Sequence, residues 1–289
     1  MFKVAILGCE NSHADAFLAD VLKNKLVEDV EFVGVYSDET EAAKKLGETF
    51  GLPVADSYDA FVGKVDGIII TARHGDNHYK YAKPYLDDGI PMFIDKPITC
   101  AEAEAVEFMS VAKEKGIRLC GGSTCVATEQ TVALAKTARE QLCGAVMGGS
   151  LACPVYMDSP YGGFWFYAQH LVEVMTTIFG EEVQSVLAEQ NGDTLTFLAR
   201  YDGFTVSGTY SKGLPYYCVS VYGAKASHTE TLKLTPDSFR HEMDAMLHLL
   251  QGGAMEKSYE SFVAPVFIMS AILRSLESGR WERVHSPKL

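Results

Sequence analysis

The chain has 289 residues, of which 47% are hydrophobic and 22% are charged, so it can form one large domain or two ordinary ones. Its 25 Lys and Arg against 38 Asp and Glu give a formal net charge of -13, which argues against nucleic acid and anionic membranes as partners. We expect no membrane span, which needs ~20 apolar residues. Seven cysteines without a CxxC pair indicate reduced thiols in a cytoplasmic protein.

Strand-like and helix-like segments alternate over residues 1–122. The strand-like segments are, in chain order, FKVAIL, VEFVGVYS, GIIITA, PMFID and IRLCGG. A helical pattern of apolar residues separates most of them. This order predicts parallel strands joined by crossover helices, the doubly wound α/β (Rossmann) fold class.

Residues 123–289 have a different pattern. After a helix over 128–142, several longer strand-like segments follow, with hairpin signals at 191–193 (Asn-Gly-Asp) and 202–203 (Asp-Gly). Helical segments are predicted near 170–180, 236–251 and 261–279. We therefore predict a second, α+β domain with a mostly antiparallel open sheet, whose final helix can pack back on the N-terminal domain.

The first strand-to-helix turn, GCENSHA, lies where a doubly wound fold binds its ligand. A complete dinucleotide fingerprint reads G-x-G-x-x-G, and only Gly8 matches, because Glu10 and His13 stand at the second and third glycine positions. The turn therefore indicates either a nucleotide site or a plain turn in which Asn11 or Ser12 caps the next helix.

Polar residues also follow the second and third strands. Ser37 occupies the position of the acid that binds a ribose hydroxyl, and Asp38 beside it is either that acid or the N-cap of the next helix. After the third strand comes TARHGDNH, a polar loop in which Asp76 or Asn77 can cap a helix. His74 and His78 are four residues apart, but no local acid or cysteine completes a ligand set, so we predict no metal site.

The segment FIDKPIT follows the fourth strand. Asp95 and Lys96 therefore lie at the carboxyl edge of the predicted parallel sheet, where such sheets bind ligands. Pro97 restricts the conformation of Lys96. A strand-end ion pair is the simple interpretation, and a lysine held for chemistry is the other.

The segment YGGFWFYAQHLVEV places His170 and Glu173 three apart on one helix face. His170 is either a core histidine or a titratable group beside an aromatic pocket.

These motifs, in this order, resemble the glucose–fructose oxidoreductase, inositol dehydrogenase and MocA-like family across the whole chain. DKP stands where that family has Glu-Lys-Pro. Further along, this chain has Gly-Gly followed by the pattern His-x-x-Glu, where the family has Gly-Gly followed by the pattern Asp-x-x-x-His-x-x-Asp. The loop TARHGDNHYKYA is similar to the family's Thr-Pro-Asn-x-x-His turn, and the C-terminal segment resembles its closing helix.

The resemblance implies NAD or NADP as cofactor and hydride exchange at a hydroxyl carbon of a sugar, polyol or related small molecule. It implies that Lys96 is the catalytic lysine and His170 the acid–base residue, both reaching the same substrate. The implied cofactor-binding residues are Gly8, Glu10, Asn11, Ser12, His13, Ser37, Asp38, Thr71, Ala72, Arg73, His78, Asp95 and Lys96. The implied substrate residues are Lys96, Tyr156, Tyr167, His170 and Glu173. A homodimer or homotetramer through the C-terminal sheet is also implied.

The sequence departs from the family pattern at several points. Phe166 stands four residues before His170, where the family has its catalytic aspartate, and Glu10, His13 and Ser37 replace other expected residues. These changes leave a second hypothesis open: a ligand- or nucleotide-binding relative that has lost turnover. A metal hydrolase that uses His74, His78 and His170 lacks a converging set of carboxylates.

Overall fold

The computed structural model describes residues 1–285 and 289. It divides the chain into two compact units. Unit 1 comprises Met1–Gly122, Thr235–Phe262 and Leu289, and unit 2 comprises Ser123–Leu234 and the described residues from Val263 to His285. The sequence pattern places all of 123–289 in the second domain, whereas the segment Thr235–Phe262 clusters with the first.

Unit 1 is built on a five-stranded parallel sheet with the strand order β2-β1-β3-β4-β5. An isolated parallel bridge between Val35 and Val54 extends the sheet beyond β2. With that bridge the order matches the 3-2-1-4-5-6 arrangement of dinucleotide-binding folds, so the predicted fold class is confirmed. The strands are β1 (Phe2–Leu7), β2 (Val30–Tyr36), β3 (Gly67–Ile70), β4 (Met92–Asp95) and β5 (Leu119–Gly122).

Helices cover this sheet, and β3 and β4 are buried along their whole length, as expected for central parallel strands. The helices of unit 1 are α1 (Ser12–Leu18), α2 (Thr40–Phe50), α3 (Asp76–Ala82), α4 (Glu102–Glu114) and α7 (Pro236–Leu250). A π-helical turn over Ala19–Lys23 continues α1.

The helix α7 joins unit 1 because its apolar face packs on the Rossmann sheet. Met243, Met246 and Leu250 belong to the same buried cluster as Phe17 and Phe93. Gly67 allows this approach, since a Cβ at that position would meet the Met246 and Leu250 side chains at 2.6 and 2.8 Å. The chain thus returns to its first unit after building most of the second.

Unit 2 contains a seven-stranded sheet of order β11-β10-β6-β9-β8-β7-β12. Among the described strands of this sheet, β6 and β9 are the parallel neighbours and the other pairs are antiparallel. Its strands are β6 (Val146–Cys153), β7 (Ser185–Asn191), β8 (Thr194–Arg200), β9 (Thr205–Ser211), β10 (Cys218–Gly223), β11 (Ser227–Thr231) and β12 (Glu282–Arg283). The two hairpin turns predicted near 192 and 203 join β7 to β8 and β8 to β9.

One face of this sheet packs on helices and the other is exposed. Buried and exposed side chains alternate along β8, as this arrangement requires. Leu195, Phe197 and Ala199 are buried, whereas Thr196, Leu198 and Arg200 are exposed. The helices of unit 2 are α5 (Glu129–Arg139) and α6 (Trp165–Phe179), with α8 (Tyr259–Ser278) beginning in unit 1 and continuing in unit 2.

By length and composition α8 could cross a membrane, because its 20 residues include a window of mean hydropathy 1.3. The sequence expectation of no membrane span does not account for this segment. Since 61% of that window is buried inside the protein, and core helices pass the same test, the match is weak support for a membrane span.

Candidate active site

The turn after β1 packs directly against the end of β3. Gly8 has φ +97°, and a Cβ there would lie 2.1 Å from the backbone nitrogen of Ala72. The Thr71 hydroxyl donates to the Gly8 carbonyl at 2.7 Å. Thr71 and Ala72 are completely buried, so these two predicted cofactor residues shape the turn, and their side chains face the protein interior.

Glu10 joins the ends of three strands. Its carboxylate accepts a hydrogen bond from the Ser37 hydroxyl at 2.6 Å and another from the backbone N–H of Arg73 at 2.9 Å. The second fingerprint glycine is therefore replaced by an acceptor that bridges the ends of β1, β2 and β3. Ribose hydroxyls can donate hydrogen bonds to this carboxylate, whereas the negative charge of a pyrophosphate would repel it. The position of Glu10 therefore suits a ribose better than a pyrophosphate.

Asp38 is paired on the same edge of the sheet. It accepts hydrogen bonds from the Lys80 ammonium at 2.7 Å and from the Tyr36 hydroxyl at 2.6 Å. Partial burial opposes ionisation, but these donors more than offset it and hold the pKa of Asp38 below its ordinary value. The alternative that Asp38 caps α2 is wrong, because Glu39 occupies the N-cap position.

A buried polar cluster lies beside the turn, and we call Asn11, His13, Asp95 and Glu242 the strand-edge cluster. Asn11 caps α1 as predicted, and its amide donates to Asp95 at 2.6 Å. The two ring nitrogens of His13 lie 3.4 Å from Asp95 and 3.2 Å from Glu242. Burial lowers the pKa of His13, but the two carboxylates outweigh burial and raise it above 6.5.

Lys96 follows β4 at this edge and is only 4% exposed. Its backbone N–H donates a hydrogen bond to the Asp95 carboxylate at 2.7 Å. Asp95 therefore accepts hydrogen bonds both from this backbone N–H and from the Asn11 side-chain amide. The Lys96–Pro97 peptide bond is cis. A lysine is rarely buried to this extent, so Lys96 differs from the exposed lysine expected of a simple strand-end ion pair.

His78 has a structural role in place of the predicted contact with a cofactor. Its ring nitrogens lie 2.5 Å from the Pro97 carbonyl oxygen and 2.7 Å from the Ala72 carbonyl oxygen. Both positions are thus taken by protein groups, and the side chain is fully buried. The helix caps predicted nearby are also wrong, because α3 begins at Asp76 itself and Gly75 is its N-cap residue.

In unit 2, His170 lies on α6 among polar partners from the segment after β5. The Ser123 hydroxyl is 2.7 Å from His170 Nδ1, and the Cys125 sulfur is 3.8 Å from the same nitrogen. Glu173 accepts a hydrogen bond from the Ser123 backbone N–H at 3.1 Å and another from the Gln169 amide. The hydroxyl at Nδ1 fixes the orientation of the imidazole ring.

Aromatic rings surround the other side of His170. The Tyr167 ring centroid lies 5.3 Å from the imidazole, and Tyr156 contacts Tyr167 edge-on at 5.1 Å. The Tyr217 ring lies 6.1 Å away. Phe166, at the position of the family aspartate, packs against Tyr167 at 5.1 Å. Ser123 thus contacts the nitrogen of His170 while an aromatic ring occupies the aspartate position.

The sequence did not reveal Ser123, Cys125 or Glu242. Ser123 and Cys125 come just after the predicted strand β5, which is a weak signal for the carboxyl edge of a sheet. Glu242 is more than 200 positions from His13, on an amphipathic helix that gives no local indication of its partner.

Comparison with known proteins agrees with this fold. Residues 2–123 match the family model GFO_IDH_MocA, described as an oxidoreductase family with an NAD-binding Rossmann fold. The uncharacterized oxidoreductase YhhX of Escherichia coli is 36% identical over 50 residues, which are 17% of this chain and 14% of that protein. That alignment therefore covers only a small part of either chain.

Three solved structures share the fold over nearly the whole length. GenD2 from gentamicin A biosynthesis, in complex with NAD, has a TM-score of 0.86 and 18% identity, with 98% of this chain and 96% of that chain covered. A myo-inositol dehydrogenase from Corynebacterium glutamicum has a TM-score of 0.82 and 16% identity, with 99% of each covered. An oxidoreductase from Agrobacterium radiobacter, in complex with NAD+, L-tartaric acid and magnesium, has a TM-score of 0.81 and 14% identity, with 98% of each covered. At these identities the likeness shows the fold alone.

Proposed function

We propose that this chain, whose residues 2–123 belong to the NAD-binding Rossmann-fold oxidoreductase family GFO_IDH_MocA, is a dehydrogenase acting on a CH–OH group of a sugar, polyol or related small molecule. The cofactor is NAD or NADP. The observation that carries the proposal is the buried Lys96, which follows β4 at the carboxyl edge of a family-matched Rossmann sheet.

The residues at this edge fit a dinucleotide, with one restriction. Gly8 makes the tight turn that the fold requires, and Glu10 and Ser37 offer hydrogen-bonding groups that suit a ribose. Asp38 is already paired with Lys80, so its charge is offset, whereas the Glu10 carboxylate accepts hydrogen bonds from two neutral donors, the Ser37 hydroxyl and the Arg73 backbone N–H. Glu10 therefore disfavours a 2′-phosphate, and we expect NAD to bind more tightly than NADP.

The catalytic roles follow from the chemistry of the two side chains. When bound, the nicotinamide exchanges hydride with the substrate carbon. His170, oriented by Ser123 at Nδ1, accepts the hydroxyl proton at Nε2. The Lys96 ammonium donates a hydrogen bond to the reacting oxygen and stabilises its developing charge.

Two measurements test this proposal in order. Purified protein is first titrated with NADH and NADPH while nicotinamide fluorescence is followed, and saturable binding of NADH is expected. A panel of sugars and polyols is then screened for NAD reduction with the wild type and with Lys96→Met, which keeps the aliphatic volume and removes the ammonium. We expect Lys96→Met to lose about a hundredfold or more in turnover, and Lys96→Arg to restore little, because a planar fork does not replace a point donor.

Lys44→Ala is the matched control, because Lys44 is an exposed lysine paired only with Glu41 in its salt bridge. Its turnover should equal that of the wild type. If neither dinucleotide binds at millimolar concentration, the oxidoreductase proposal fails. Binding without turnover on any substrate would favour the second hypothesis, a relative that binds a nucleotide and has lost catalysis, for which Phe166 at the aspartate position is the specific observation.

A further inference from the structure

Three side chains that are typical metal ligands converge near the end of β3. His74 lies in the loop after β3, Asp76 is the first residue of α3, and Cys100 precedes α4 by two positions. Their ligand atoms all lie within 4.8 Å of one another. His74 Nδ1 and Asp76 Oδ2 are 3.7 Å apart. The sequence paired His74 with His78, whereas the fold turns His78 into the interior and supplies Asp76 and Cys100 instead.

A hydrogen bond at His74 indicates which ring nitrogen carries the lone pair. The backbone N–H of Asp76 donates to His74 Nδ1 at 3.3 Å. Because a backbone N–H can only donate, Nδ1 carries a lone pair and the ring proton lies on Nε2. A metal ion at Nδ1 would replace this long hydrogen bond, and the carboxylate of the same Asp76 lies 3.7 Å from Nδ1. The Cys100 sulfur and an Asp76 carboxylate oxygen lie within 4.8 Å of each other.

Gly75, between the two loop ligands, makes this convergence possible. A Cβ at position 75 would lie 2.8 Å from the Cys100 sulfur and 2.6 Å from Pro97 Cγ. Any larger residue would push the loop away from Cys100, so the short distance depends on glycine. The loop is thus held close to the segment that carries Lys96 and Pro97, within the same unit.

We propose that His74, Asp76 and Cys100 bind a Zn²⁺ ion. The nitrogen, oxygen and sulfur donors are those that zinc accepts, and in a tetrahedral site with bonds of about 2.0–2.3 Å they lie about 3.3–3.8 Å apart. The most distant pair needs to close by about 1 Å. On binding, Cys100 releases its thiol proton to solvent and becomes a thiolate ligand. The exposed Asp76 leaves an entry path, and water takes the fourth position.

The bound ion would clamp two loops of the Rossmann sheet. His74 is adjacent to Arg73, whose N–H holds Glu10, and Cys100 lies just beyond the segment of Lys96 and Pro97. The ion would therefore limit the motion of these two loops and would take no part in the proposed reaction. It is independent of the oxidoreductase proposal, because metal binding can be measured without cofactor or substrate.

Cobalt titration tests the site directly. Tag-free full-length protein is reduced, stripped with a chelator and titrated with Co²⁺, which gives ligand-field bands and a thiolate-to-cobalt charge-transfer band in a tetrahedral site with sulfur. We expect one equivalent to bind, and Zn²⁺ to displace it. Because loss of an outer-shell partner already weakens metal binding by about 10- to 100-fold, Cys100→Ser and His74→Gln should each cost at least that factor, and Cys100→Ser should abolish the charge-transfer band.

Cys143→Ser is the matched control, because Cys143 is a partly buried free cysteine in unit 2. It should leave the spectrum and the affinity unchanged. Far-UV circular dichroism confirms that each variant is folded. The absence of tetrahedral bands in the wild type, or their persistence in folded Cys100→Ser, would overturn the proposal.

Discussion

Replacement of Gly8 by alanine tests whether the close approach of β1 and β3 shapes the candidate site. The added Cβ would lie 2.1, 2.4 and 2.7 Å from three backbone atoms of Ala72 and Thr71, and ordinary contact begins at 3.4 Å. The Ala72 backbone would have to retreat by about 1.3 Å (3.4 minus 2.1). No rotamer change can relieve a contact with backbone atoms.

The magnitude has two parts. Holding alanine at φ +97° costs about 1–3 kcal/mol, and overpacking costs typically about 1–3 kcal/mol more. We expect Gly8→Ala to lower the free energy of unfolding of unit 1 by about 3 kcal/mol or more. Gly51→Ala is the matched control, because Gly51 has φ +69° with nothing within 4 Å of the added Cβ. Its cost should be limited to about 1–2 kcal/mol of backbone strain.

The assay must separate the two units. Both tryptophans of the chain, Trp165 and Trp281, lie in unit 2. Tryptophan fluorescence in urea therefore reports unit 2, while far-UV circular dichroism reports both units. Gly8→Ala should move a circular-dichroism transition to lower urea and weaken NADH binding, because the shifted loop carries the Arg73 N–H that holds Glu10. Equal destabilisation by Gly8→Ala and Gly51→Ala would refute the steric argument.

Three further outcomes are expected. Because Asp95 and Glu242 raise the pKa of His13 above the unfolded value of 6.5, the stabilisation they provide is complete below about pH 6.5 and is lost as pH rises through the folded pKa. The free energy of unfolding should fall there by at most about 1.4 kcal/mol per pH unit, and a slope unchanged in His13→Gln would contradict this. Ser123→Ala should remove about 0.5–1.5 kcal/mol of hydrogen bonding to His170, lowering kcat about two- to tenfold and changing the ¹⁵N chemical shifts of its imidazole, with Ser123→Thr restoring both. An unchanged imidazole spectrum would exclude a positioning role. Finally, light scattering at micromolar concentration should give a dimer or tetramer, with Leu198→Glu on the exposed sheet face as the disrupting variant and a wild-type monomer as the contrary result.

The local pattern of the sequence was sufficient for the architecture of the first 122 residues. A strand buried on both faces and a helix buried on one face differ in the spacing of their apolar residues, so the sequence distinguishes the two kinds of element. Their regular alternation then predicts parallel strands, because a crossover helix joins each strand to the next. The Asn11 cap and the hairpin at Gly192–Asp193 were also predictable, because they depend on residues only a few positions apart.

Tertiary structure alone decided the pairings between distant residues. Positions far apart in the chain meet in the packing of α7 on unit 1, in the 3.2 Å contact of His13 with Glu242 and in the hydrogen bond between Ser123 and His170. An apolar helix face or a lone polar residue can satisfy many partners equally well, so the sequence does not choose among them. The same limit explains the histidines: spacing suggested a pair of His74 and His78, but the fold directs His78 to two carbonyl groups and brings Cys100 to His74. Side-chain direction depends on the path of the whole backbone, and sequence spacing does not encode that path.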